Sequence, residues 1–85
     1  MATLRLFASA REAAGTARDT MPGSTVAEVL DAARARYGED FAAVLGTCKV
    51  WVNGDEADDA TPVRDADEVA VLPPVSGGAT TGAGG

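Results

Sequence analysis

Histidine is missing from this 85-residue chain, and cysteine occurs once, at Cys48. Those two absences remove the usual transition-metal ligand sets and the Ser-His and Cys-His nucleophile pairs, so neither a resident metal nor catalysis by this chain alone is expected. A lone cysteine also forbids an internal disulfide, which fits a reducing cytoplasm. Basic charge is scarce. Seven Lys and Arg stand against 13 Asp and Glu, for a net charge of −6. Nucleic-acid binding needs a basic face that displaces counterions, so nucleic acid is excluded as a partner and a basic protein surface is the expected one. No apolar run approaches the roughly 20 residues that span a bilayer. Arg5 interrupts the short apolar stretch before Ala8-Ser9-Ala10, a tripeptide that mimics a signal-peptidase site. We expect a soluble cytoplasmic protein with no membrane partner.

Aromatic residues make up 5% of the chain against 46% hydrophobic residues in all, so the core must be built from Ala, Val and Leu. A chain of this length forms one small domain, burying about 60 to 65% of its unfolded surface. Thr3 to Phe7 alternates, with Leu4 and Leu6 on one face and Arg5 and Phe7 on the other, as a half-buried strand does. Ala8 to Gly15 reads as a short helical turn closed by glycine, and Ala17 to Met21 as a weaker strand ended by Pro22-Gly23. The strongest helix signal follows. Thr25 caps, Glu28 completes a capping box, Val26, Val29, Leu30, Ala33 and Tyr37 form one stripe, and Gly38 ends it. Glu39 to Leu45 adds a turn or two, with Phe41, Val44 and Leu45 packing beneath. Cys48 to Val52 alternates again and meets Asn53-Gly54, a hairpin turn pair. Glu68 to Leu72 is the last strand, stopped by Pro73-Pro74, which cannot continue a ladder. The predicted architecture is a two-layer α+β domain over residues 1–74, a ubiquitin-like β-grasp whose mixed sheet packs on one main helix. Residues 75–85 form a glycine-rich tail expected to be flexible.

Several motifs invite chemistry and fail to support it. Asp55, Glu56, Asp58 and Asp59 lack the spacing of a calcium loop and read as a solvated charge run. The glycines from Gly77 onward resemble a phosphate cradle, but that device needs a helix start after them. Cys48 shares strand parity with Val50 and Val52 and reads as a small core hydrophobe. Phe7, Trp51 and Leu72 fall on the opposite, outward parity, and three large apolar side chains on one open face suggest a docking surface lined by Arg11 and Glu12.

LRLFASAREAAG at 4–15, VWVNG at 50–54 and DADEVAVLPPVSGG at 65–78 resemble the ubiquitin-like sulfur carriers, most closely the small subunits of molybdopterin synthase. That resemblance covers 3–78 and implies a carrier rather than an enzyme, holding no cofactor. Its C-terminal glycine carboxylate is adenylated with ATP by an activating enzyme, and sulfur then replaces AMP to leave a thiocarboxylate. In the molybdopterin synthase case the large subunit is the partner, and it passes the sulfur to a cyclic pterin precursor. Mapped here, Gly77 and Gly78 are the reacting end; Phe7, Arg11, Trp51 and Leu72 of the outward face, with Pro73, Pro74 and Val75 at the exit, are the expected partner contacts. Glycine suits such an end because a residue without Cβ lets the reacting carbon enter a narrow channel. Two departures stand out. Ala66 occupies a turn where the family often has glycine, costing about 1 kcal/mol if that position needs a positive φ. Seven residues, Ala79 to Gly85, follow Gly78, so either a protease trims them or Gly84-Gly85 is the working end. Carriers for thiamine, cysteine or a secondary metabolite, and a ubiquitin-like interaction or modifier module without sulfur, are the competing readings.

Overall fold

The computed structural model describes residues 1–74. The expectations placed on Val75, Gly77, Gly78, Gly84 and Gly85, and on the tail as a whole, lie outside the described residues. Eight elements follow one another: β1 (Ala2–Leu6), α1 (Ala8–Ala14), β2 (Arg18–Met21), α2 (Val26–Tyr37), α3 (Glu39–Leu45), β3 (Lys49–Val52), β4 (Asp55–Ala57) and β5 (Glu68–Leu72). The strands form one mixed sheet in the order β2-β1-β5-β3-β4. Its centre is the parallel pair β1 and β5, with Leu4 against Val69 and Leu6 against Val71. The β-grasp arrangement expected from the sequence is the one observed.

Alternation decides which side of the sheet is closed. Leu4, Leu6, Val69, Val71 and Val52 point to the helices and are buried, joined there by Val26, Val29, Leu30, Ala33, Phe41 and Leu45. Each fully buried aliphatic or aromatic side chain contributes about 1.5 to 3 kcal/mol of transfer free energy. No polar or charged side chain is buried among the described residues. Tyr37 closes the end of the α2 stripe. Its ring meets Phe41 edge-on at 5.1 Å, and its hydroxyl donates to Asp19 Oδ2 at 2.6 Å. Burial and that carboxylate push the phenol above its ordinary value. The same bond, followed by those from Thr20 and Arg36, holds the Asp19 carboxyl below its ordinary value.

The local signals translate with two changes. Thr25 Oγ1 caps α2 by accepting from the Glu28 N–H at 3.3 Å. The Glu28 carboxylate, however, accepts from Ser24, its N–H at 2.8 Å and its hydroxyl at 3.0 Å, rather than from the capping Thr25. The reciprocal half of the box is displaced by one residue because Ser24 and Thr25 are held against the chain at Thr61 to Val63, where Val63 N–H donates to Ser24 O. The first strand ends at Leu6 rather than Phe7. Phe7 is still extended, at φ −127° and ψ 150°, but it already caps α1. Ala66 is not among the residues with positive φ, so the replacement of glycine there carries no backbone strain. Asn53 and Gly54 both have positive φ, 52° and 87°, the pair of values a two-residue hairpin between β3 and β4 requires.

Candidate functional site at the exit of the last strand

On the face opposite the helices, β3 and β5 run antiparallel with Lys49 beside Leu72 and Trp51 beside Ala70. This face carries an apolar groove of about 350 Å³ lined by Lys49, Trp51, Leu72, Pro73 and Pro74. It lies where the chain leaves the sheet. The two prolines that end the ladder also line it.

Four of the expected contact residues, Trp51, Leu72, Pro73 and Pro74, are thus brought together. Trp51 and Leu72 are half-buried rather than bare, because each shields the other in the groove. Phe7 sits on the same face, level with Leu72 by the parallel register, and its N–H donates to Val71 O at 3.3 Å. It does not line the groove. Its ring is 38% exposed and is covered by the Arg5 guanidinium at 5.7 Å, itself paired with Glu68 at 3.3 Å. Arg11 is exposed on α1, also away from the groove, as is its neighbour Glu12. Sequence reasoning missed Lys49 as a groove residue, although its shared parity with Trp51 carried that signal. Its Nζ lies 3.3 Å from Glu56 Oε2, with both side chains largely in solvent.

The groove carries no acid-base pair. No group of His, Cys, Asp or Glu side chains able to hold a metal occurs among the described residues. Cys48 packs against the core, its thiol donating to Val44 O at 3.2 Å, and burial pushes the thiol above its ordinary value. That favours the unreactive, protonated form. No helix among the described residues is long and apolar enough to cross a membrane.

A five-stranded mixed sheet with a parallel central pair, crossed by one long helix, defines a ubiquitin-like β-grasp domain, here with an apolar exit groove at its last strand. The chain belongs to the ThiS family, whose model matches residues 4–78. It is a member of the ubiquitin-like sulfur carriers, small carrier proteins rather than catalysts. Small archaeal modifier protein 1 from Methanosarcina acetivorans superposes with a TM-score of 0.82 at 30% identity, over 91% of this chain and 95% of that one. A chain of the complex of subunits 1 and 2 of molybdopterin-converting factor from Helicobacter pylori matches with a TM-score of 0.67 at 27% identity, over 91% and 97%. The BexX/CysO complex of Amycolatopsis orientalis shares the fold, with a TM-score of 0.78 at 24% identity over 92% and 100%. Comparison with curated proteins gives no significant match.

Proposed function

We propose that this chain carries sulfur as a thiocarboxylate on Gly78 and donates it in molybdopterin synthesis, acting as the small subunit beside a large catalytic subunit. The observation that carries the reading is that the family match runs through residue 78, the second glycine of the segment PPVSGG that follows the last strand in sequence. A carboxylate is a poor electrophile. An adenylating enzyme therefore joins it to AMP, with ATP losing pyrophosphate, and a sulfur donor then displaces AMP to leave the thiocarboxylate. The groove is the docking surface for both partners. From Pro74, an extended chain reaches Gly78 over roughly 15 Å, enough to enter a buried site while the sheet stays outside.

A free carboxylate at Gly78 exists only after the bond to Ala79 is hydrolysed. The reading therefore includes a processing protease, and its competitor places the sulfur on Gly85. The test compares the full chain with a chain ending at Gly78, each given activating enzyme, ATP and a sulfur donor, by intact mass. The short chain should gain the mass of one O-to-S exchange and then yield molybdopterin with the large subunit and pterin precursor. Equal conversion of the untrimmed chain with sulfur on Gly85 would overturn trimming, and sulfur passing only to a thiamine or cysteine precursor would overturn the acceptor. A second reading, a protein modifier, is supported by the similarity to small archaeal modifier protein 1. It predicts amide conjugates in host extracts in place of the thiocarboxylate.

A further inference from the structure

Lys49 is the sole lysine of the chain; every other basic side chain is arginine. It stands at the groove, directly across the β-ladder from Leu72, with its side chain 68% exposed. The other primary amine, the N-terminus, is paired with Asp65 Oδ1 at 2.6 Å. That pair sits where β1 and β5 begin, at the opposite end of the sheet from the groove. An amine that competes for an activated glycyl carbonyl at the groove is therefore Lys49, since arginine stays protonated and does not act as a nucleophile.

We infer that Lys49 is an acylation site, at which the activated Gly78 carbonyl of a second copy of this chain forms an isopeptide bond that fills the groove and withdraws the carrier from docking. The inference rests on the carrier reading, because that reading supplies the activated carbonyl as a glycyl adenylate. In the step, the neutral Nζ attacks the carbonyl carbon and a C–N bond forms. The C–O bond to AMP breaks, AMP leaves with the electron pair, and the proton from nitrogen passes to solvent.

Two features favour a second copy as donor. The residues 73–78, Pro-Pro-Val-Ser-Gly-Gly, carry no charge, so they suit an apolar groove despite the net charge of −6 that the two copies share. The chain's own segment is tethered at Leu72, directly across from Lys49, and Pro73 and Pro74 fix φ just beyond that tether. A neighbour's segment carries no such tether and can lie along the groove from either end. Once joined, Lys49 loses its positive charge and its pairing with Glu56, and the segment lies over Trp51 and Leu72.

All eight elements lie within residues 2–72, so a chain ending at Gly78 keeps the described fold. Such a chain, prepared as a C-terminal alkyl thioester, presents an activated glycyl carbonyl without any enzyme, and thiolate then replaces AMP as the leaving group. At mildly alkaline pH it should yield a dimer whose mass is two chains less one thiol. Digestion should give a branched peptide joining Gly78 to Lys49. Lys49→Arg should abolish that peptide, and Leu72→Asp should slow its formation at least about tenfold, the loss expected when a positioned reaction becomes a random encounter. Acylation at Met1, a cyclised monomer, or a Lys49 rate no faster than that of free N-acetyl-lysine at the same amine concentration would overturn the inference. Failure of the carrier reading registers separately, as absence of thiocarboxylate in the ATP-dependent assay.

Discussion

The two ends of β5 are made of opposite materials. Where the strand begins, Asn53 reaches across from the β3–β4 turn, donating from Nδ2 to Asp67 Oδ1 at 2.9 Å and accepting the Glu68 N–H on Oδ1 at 2.9 Å. Asp67 Oδ2 accepts from Arg64 N–H at 2.8 Å, and its carbonyl accepts from Thr3 N–H at 3.0 Å. Where the strand ends, the neighbours are Trp51, Pro73, Pro74 and the stem of Lys49, which offer apolar surface and almost no hydrogen bonding. A hydrogen-bonded end fixes register, and an apolar end is completed only by something that covers it. The same five-residue strand is anchored at one end so that the other can be presented.

The largest effect expected from breaking this contrast is at the anchored end. Asn53→Ala removes two side-chain hydrogen bonds and puts alanine at a positive φ, for a loss of about 2 to 3 kcal/mol in chemical denaturation. Partner affinity, measured where the variant is still folded, should be unchanged. Leu72→Asp reverses the pattern. It should weaken binding to the proposed large-subunit partner at least about tenfold, roughly 1.4 kcal/mol, because a charge is placed in an apolar contact. Its stability should fall by no more than about 1 kcal/mol, since Leu72 is only half-buried. If Asn53→Ala alone abolished binding while folded, the two ends would not be separable.

The third effect is a pH dependence to which the anchored end contributes. The bond from Asn53, then that from Arg64 N–H, holds the Asp67 carboxyl below its ordinary value. A carboxyl depressed in the folded state contributes stability above its unfolded pKa of about 4 and loses it as pH falls through the lower folded value. Urea midpoints measured downward from neutral pH should therefore fall below about pH 4, with Asp19 adding to the slope in the same direction. Asp67→Asn should start lower at neutral pH and fall less steeply. A parallel acid limb in that variant would remove Asp67 from the account.

How much of this was legible follows from the range of each interaction. The α2 boundaries, the Asn53-Gly54 turn and the stop at Pro73-Pro74 depend on residues within a few positions of one another, and sequence reasoning reached them. Parity along β3 and β5 placed Trp51 and Leu72 on one face. The groove was not legible, because the register that sets Lys49 beside Leu72 is fixed only once β3 and β5 pair. The Asn53–Asp67 contact, 14 residues apart, depends on that same register. Parity also grouped Phe7 with Trp51, and the helical turn from Ala8 was read as well, but the Arg5 guanidinium over the Phe7 ring and the absence of Phe7 from the groove were not.

The smallest effect tests how backbone strain is distributed between the two ends. Among the described residues, two that are not glycine have positive φ: Asn53 at 52° and Ala8 at 51°. Asparagine tolerates that region and here gains two hydrogen bonds by occupying it. Alanine has no side-chain compensation. Ala8 follows Phe7, whose N–H is bound to the end of β5, so the left-handed residue redirects the chain from β1 into α1 beside the open end. Glycine at position 8 should relieve about 1 to 2 kcal/mol of steric cost while losing about 0.5 to 1 kcal/mol to the greater freedom of the unfolded chain. Ala8→Gly should thus stabilise the domain by up to about 1.5 kcal/mol. Ala8→Val, with a branched Cβ at the same φ, should destabilise it. Thermal unfolding of both variants against the parent decides the matter: a destabilising glycine would mean that Ala8 makes a contact worth more than its strain.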